Sequence, residues 1–303
     1  MSRTISKKEL KTRRISNPAR TKDILFCIVI LFLPIVNFFL FNLGNYVNML
    51  RLAFNPTAEI EGAGMFSNFV NFSQKFFGDP HMLTAIKNSC IFYGLHWTVL
   101  PLALFTSYYI FRKFPGRKYF QLMLMLPGMI AGMVWILVYK YFMDLVLPDL
   151  MGWRVGLLTN GETKFLSLII YSLWFSLGGG LLIYTGMMGS VSHSVLEAGR
   201  LDGMNKVREF WHILMPAIYP VFVINTVSGL VGFFTNSGNT FEFFGLSAPS
   251  STYTIGYIMF QSVKGANPDL GFNSAGSMVF TVVVAPIALI VKRLMEKYGP
   301  RDD

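Results

Sequence analysis

Charge is what this sequence has least of. Asp, Glu, Lys and Arg make up 14% of its 303 residues, whereas 53% are hydrophobic. A soluble domain carries about 25% charged residues, because its surface meets water. So few charges cannot coat a globule of this size. That excludes a water-soluble fold and leaves a chain that turns apolar surface toward lipid.

Reactive groups are sparse as well. The four histidines (His81, His96, His193, His212) fall in no H-E-x-x-H or related spacing, so neither zinc nor hydrolytic chemistry is indicated. Cys27 and Cys90 lie in separate apolar runs without metal-ligand spacing, and read as buried free thiols. No G-x-x-x-x-G-K-[ST] is present, so the chain has no phosphate cradle for ATP. Gly178-Gly179-Gly180 is glycine-rich, but no lysine follows it; close helix packing or an open cavity accounts for it better. No serine sits in a G-x-S-x-G turn. The expectation is a chain that is not an enzyme, with no catalytic residue, no metal site and no cofactor of its own.

What the sequence does have is long apolar runs. The tail from Met1 to Lys22 is basic and polar, with Arg3, Lys7, Lys8, Lys11, Arg13, Arg14, Arg20 and Lys22 against Glu9 alone. The apolar run after it exceeds about 20 residues and has no A-x-A cleavage site, so it reads as an uncleaved first span. This divides the chain into a basic tail, 1–23, and an all-α integral membrane domain, 24–303. Six spans are expected at about 24–48, 86–111, 119–139, 166–188, 217–235 and 274–291, each close to the length that crosses a hydrocarbon core of about 30 Å. Pro34, Pro101, Pro127 and Pro286 fall in or near them, as membrane helices tolerate.

Orientation follows from the basic residues. With the N-terminus in the cytoplasm, 19 of the 26 Lys and Arg fall on inner segments, while acidic residues show no such bias. That is the positive-inside pattern, with both termini cytoplasmic. It also accounts for the formal net charge of +10 without nucleic acid. Of the outer segments, 51–85 is Phe-rich (Phe66, Phe69, Phe72, Phe76, Phe77). The other, 239–273, holds an apolar stretch, Ile255–Val263, too short to span; an interfacial or re-entrant helix and a surface-lying one are both open.

The loop between spans 4 and 5 is the most specific segment. It reads Glu197-Ala198-Gly199-Arg200-Leu201-Asp202-Gly203, then nine residues, then Ile213-Leu214-Met215-Pro216. Ser194 is placed to cap a helix from Val195 to about Leu201, with Glu197 completing a capping box. Asp202-Gly203 would end that helix in a left-handed turn. A second helix would run from about Lys206 to Pro216, where proline opens the next span. These anchors resemble the EAA loop of binding-protein-dependent ABC importer permeases, with Gly199 for the second alanine and Met215 for the leucine. Asn71-Phe72, Gly78-Asp79-Pro80, Lys87-Asn88-Ser89, Arg117-Lys118 and Leu126-Pro127 are similar to segments of sugar-importing permeases, and six spans suit the MalF-like half of a maltose-type pair. Of the Gly-Gly-Pro run that many such permeases carry, only Pro249 is matched, in Gly245–Ser251.

The resemblance implies the rest. The loop would be the coupling helix that docks in a cleft of an ATPase. Leu196, Leu201 and Met204 would fill the cleft, Glu197 and Asp202 would pair with basic groups there, and Ala198, Gly199 and Gly203 would shape the elbow. ATP and Mg would be held by that partner. Two ATP-binding subunits, a second homologous permease, an extracytoplasmic solute-binding protein and membrane lipid are the implied partners, in a bacterial cell membrane. Aligned on the loop, the family's substrate contacts fall near Ser172, Leu173, Ser176 and Gly179, beside Trp174, and near Ser228, Val231, Gly232 and Thr235, with Asn225 and Asn236 as polar neighbours. The implied cargo is a carbohydrate, an oligosaccharide or related sugar. Glycerol phosphate, a peptide or another polar solute remains an alternative. A secondary carrier would need an intramembrane ion site, and its nearest candidates, Lys140, Asp144 and Glu242, lie near span ends.

Overall fold

The computed structural model describes residues 18–55 and 64–300. The basic tail up to residue 17 lies outside the described residues. Among those residues the chain is helical and turn-like throughout, with no strand. Lipid offers the backbone no hydrogen bonds, so each segment that crosses it must satisfy its own N–H and C=O groups.

The first apolar run forms α1 (Pro18–Asn37), a π-helical turn (Phe38–Leu43) and α2 (Gly44–Ala53). The side chains described on α1 are exposed except for the half-buried Val36, whereas α2 packs along the last helix. α3 (Ser67–Gly78) carries most of the Phe-rich stretch. α4 (Met82–Phe111) is the second span. The fourth, fifth and sixth are α8 (Lys164–Ser190), the helix that ends in α11 (Met215–Thr235), and α14 (Leu270–Tyr298). Five helices are long and apolar enough to cross a membrane. Their prolines Pro34, Pro101, Pro220 and Pro286 lie inside helices, as expected for lipid-embedded segments.

The third span departs from the expected straight helix at 119–139. It is a pair, α5 (Arg117–Met129) and the helix that begins with α6 (Gly132–Tyr141), bent by 111°. Ile130 and Ala131 are extended. Pro127 cannot donate to the preceding turn, and Gly128 and Gly132 flank the break with the lowest helix propensity after proline. The helix therefore breaks here. Counted as one broken span, the pair brings the number of candidate crossings to six. It continues through a π-helical turn (Phe142–Val146) into α7 (Leu147–Met151).

Three apolar clusters follow one another along α4. Met82 and Ala85 join Phe72, Phe76, Ile255 and Phe272 at one end. Phe92 joins Trp135, Tyr139 and Tyr171 in the middle. Ala103 and Leu104 join Tyr184, Met188 and Leu214 at the other end. Between helices in lipid such packing holds by van der Waals contact rather than by exclusion of water. Cys27 and Cys90, expected to be buried, are free and exposed on the outward faces of α1 and α4.

The 239–273 segment does not lie on the surface. It forms α12 (Thr240–Phe244), two 3-10 turns and α13 (Ile255–Lys264), and Ile255, Gly256, Tyr257 and Met259 are buried among α4, α11 and α14. Thr254 caps α13 through Tyr257 N–H at 3.1 Å. Gly256 is required by close approach, since a Cβ there would lie 2.6 Å from the Thr235 carbonyl oxygen. α3 is latched onto α14 beside it. Lys75 pairs with Asp269 at 2.8 Å, and Asn71 donates to the same carboxylate oxygen at 3.2 Å. Burial alone would raise the Asp269 carboxyl; the Lys75 ammonium, the Phe272 N–H and Asn71 outweigh it and hold the group below the usual carboxylate range.

Candidate coupling elbow and solute path

The loop between α8 and α11 folds as two helices at an elbow. α9 (His193–Leu201) starts two residues before the expected Val195, so Ser194 lies inside it and caps nothing. Ser192 is the extended N-cap residue, and makes no capping bond; its hydroxyl meets that of Ser194 at 2.5 Å. The expected capping box is therefore absent. Glu197 bonds instead to His193 one turn back, at 3.0 Å. The turn at Asp202-Gly203 is as expected: Gly203 has φ +76°, and its N–H donates to the Arg200 carbonyl at 3.1 Å. Met204 N–H returns to the Gly199 carbonyl at 3.0 Å.

Asn205 then caps α10 (Lys206–Glu209), accepting from Arg208 N–H at 2.8 Å. A π-helical turn (Phe210–Leu214) leads straight into α11. The helix from Lys206 runs without interruption to Thr235, so Pro216 does not open a separate span. It stands in the first turn of α11, where the π-helical turn before it accommodates a residue that cannot donate.

Burial sorts the elbow residues into two groups. Glu197, Ala198, Leu201, Asp202 and Gly203 are exposed, Leu201 at 89%. Leu196, expected to reach outward, is only 5% exposed and packs among Phe210, Leu214 and Met188. Met204, also expected outward, folds back: its sulfur lies 3.2 Å from where a Gly199 Cβ would sit, and Ile213 Cδ1 lies at 2.9 Å. Gly199 is thus the residue that lets α9 close on the following helix, and an alanine there would displace Ile213. Val195 and Val207, exposed at 48% and 63%, extend the apolar outer surface that Leu201 begins. Their sequence signal was only that they are apolar in a polar loop.

The path positions also divide. Ser176 and Gly179 on α8, and Ser228, Val231 and Thr235 on α11, are exposed, with Asn236 following. On α11 they recur at helical spacing, on one face. A Cβ on Gly179 or Gly232 would meet nothing within 4 Å. Leu173 is half-buried. The remaining positions are committed to packing. Ser172 is buried and accepts from Asn239 at 3.1 Å. Trp174 meets Trp135 edge to face at 5.2 Å. Asn225 braces three helices: its side chain donates to Tyr184 Oη at 2.8 Å, and its backbone oxygen meets His96 Nε2 at 3.1 Å. The sequence singled out Asn225 and Trp174 but carried no sign of the partners that occupy them.

Val231 and Thr235 border a cleft of about 490 Å³ between α11, α13 and α14. Phe234, Phe260 and Phe280 wall it, and Asn273, Ser277 and Thr281 form a polar stripe along α14. The charged groups that could serve an ion-coupled carrier are bound elsewhere. Lys140 donates to the Phe243 carbonyl, and Asp144 accepts from Leu158 and Thr159 N–H at 3.0 and 3.1 Å. Among the described residues no cluster of His, Cys, Asp or Glu is placed to hold a metal.

The family described as "Binding-protein-dependent transport system inner membrane component" matches residues 99–301. The chain is 26% identical over 257 residues to a UgpA sn-glycerol-3-phosphate transport system permease protein of Agrobacterium fabrum, covering 80% of this chain and 86% of that one. It is 24% identical over 205 residues to the probable starch degradation products transport system permease protein AmyD of Thermoanaerobacterium thermosulfurigenes, covering 65% and 68%. Its fold resembles a chain of a bacterial ABC transporter involved in the import of the acidic polysaccharide alginate, with TM-score 0.72 and 21% identity, over 93% of this chain and 99% of that one.

Proposed function

The chain belongs to the family of binding-protein-dependent transport system inner membrane components, and from that premise we propose that it is the MalF-like subunit of an ATP-driven carbohydrate importer. A solute-binding protein outside the cell would deliver the cargo. Two ATP-binding subunits would hold ATP and Mg, and a second, homologous permease would complete the channel. This chain would carry no cofactor. The observation that carries the coupling part is the elbow, a rigid two-helix turn that projects Leu201 with Glu197 and Asp202 on either side.

The path supports a sugar. Its open positions are Ser, Gly, Thr, Asn and Val, which offer hydroxyl and amide partners to sugar hydroxyls and recede at Gly179 and Gly232. None of them is Lys or Arg. Phosphate recognition relies on charge-assisted bonds from such groups, so these positions themselves favour a sugar, while Lys264 of α13, which lines the cleft beside Val231 and Thr235, is where a phosphate would be met. The second reading keeps its support from the UgpA relatives. The test is uptake into proteoliposomes holding the full complex and its binding protein. Labelled maltotriose is expected to accumulate only with ATP inside the subunit-facing compartment. Accumulation of labelled glycerol 3-phosphate in its place would sink the carbohydrate reading and leave the permease reading standing.

The orientation proposed has both termini in the cytoplasm of a bacterial cell, α3 and α13 outside and the elbow inside. With Cys27 and Cys90 replaced, single cysteines at Ser73, Ser247 and Asn267 should react with an impermeant maleimide added to intact cells. A cysteine at Val207 should react only after lysis. All four positions are exposed in the chain, so protection reports the membrane side. Labelling of Val207 in intact cells would reverse the orientation.

A further inference from the structure

Glu209 is the one charged side chain among the described residues that is buried, at 2% exposure, and it is no anchor of the loop motif. Its two carboxylate oxygens lie 3.1 and 3.2 Å from Arg112 Nη1, at the inner end of α4. Arg200 Nε, on the elbow helix α9, lies 3.6 Å from the second oxygen. One carboxylate therefore joins three elements: the start of the long fifth span, the elbow and the second span. Other contacts tie α4 and its following turn to α10. Tyr108 Oη donates to the Lys206 carbonyl at 2.8 Å, and Lys206 Nζ stands 4.8 Å over the Phe114 ring.

We infer that Glu209 is a positioning residue for coupling, clamping the elbow to the second span through Arg112 and Arg200. The inference rests on the coupling role proposed for the elbow. By the chain, α9 is joined only to α8 and, through α10, to α11. With the clamp, a movement imposed on the elbow by an ATPase is carried into α4 as well. A buried ion pair is a poor source of net stability, because two charges must be desolvated to form it, but losing one partner strands the other. The apolar contact of Phe210 with Phe105 and Tyr108 already holds these elements together. What the ion cluster adds is a fixed orientation.

The experiment uses the assembled complex with Cys27 and Cys90 replaced and spin labels at L102C on α4 and S194C on α9, both exposed positions. In the parent the label distance should stay single and narrow with and without bound ATP. In E209Q it should broaden or shift when ATP binds. Maltotriose imported per ATP hydrolysed should fall by about fivefold or more, the lower end of coupling between sites. The double variant R112Q/E209Q removes both charges of the Arg112–Glu209 pair, leaving only the half-exposed Arg200, and should regain detergent stability but not stoichiometry. Parent-like distances in E209Q, or parent stoichiometry in the double variant, would overturn the clamp and reduce Glu209 to a stabilising residue. A parent chain that assembles with no ATPase would instead sink the coupling reading, and this use of the clamp with it.

Discussion

Gly203→Pro is expected to abolish ATP-driven uptake while the chain still inserts in the membrane. Gly203 sits at φ +76°, and proline is confined to about −65°, so the ring cannot adopt the turn at all. The substitution also removes the N–H that donates to the Arg200 carbonyl at 3.1 Å. The elbow must open, and Leu201 and Asp202 lose the placement that the proposed docking requires. Steric conflict is not the cause, because an added Cβ at Gly203 meets nothing within 4 Å. Gly203 itself is exposed and belongs to no core cluster, so expression should hold. Gly203→Ala is the graded companion: a left-handed non-glycine residue costs about 1–2 kcal/mol, which should weaken uptake roughly tenfold rather than end it. Glu197→Lys, which breaks the His193 contact and reverses an exposed charge, should reduce capture of the ATPase without touching the turn. The measurements are co-purification with the ATPase and uptake, side by side. If uptake survives both Gly203→Pro and Glu197→Lys, the elbow is not the coupling element.

The elbow turn was legible because its signal is local. Asp202-Gly203 needs only a residue free to take positive φ, and the chain supplies it where the helix must end. Span existence was legible for a similar reason, since twenty apolar residues in lipid have one stable backbone form. The break at Ile130-Ala131 was not. Pro127 in an apolar run reads the same whether the helix kinks slightly or turns through 111°, and the difference lies in what packs against it. Gly178 is part of that packing, set against the Leu124 carbonyl. The direction of Leu196 and Met204 was misread because a short amphipathic helix has an apolar face but no sign saying which side is the protein and which the partner. Glu209 was invisible for the opposite reason. An acidic residue in a polar loop reads as solvated, and its two arginines are 97 residues upstream and nine residues before it in the chain.

Three successive positions on α8 give the sharpest test of the solute path. Gly179→Trp and Gly232→Trp are expected to abolish uptake in a complex that assembles, stays stable in detergent and still hydrolyses ATP. At both glycines an added Cβ meets nothing within 4 Å, so a side chain can leave the helix there without the backbone clash found at Gly178. If that face lines the route, the ring occupies the space the cargo needs. Gly178→Trp is the control one residue away. There a Cβ would lie 2.1 Å from the Leu124 carbonyl oxygen and 3.2 Å from its carbon, both backbone atoms that no rotamer can move. Overpacking a close helix contact costs about 1–3 kcal/mol or more, and the product should misassemble or lose thermal stability. Gly180 is intermediate, since its Cβ would touch only the Ala103 methyl, at 3.1 Å, and the Tyr184 ring. The three residues thus separate obstruction from misfolding within a single turn. Unimpaired uptake in stable Gly179→Trp and Gly232→Trp complexes would show that this face looks onto lipid, and the route would have to be sought elsewhere.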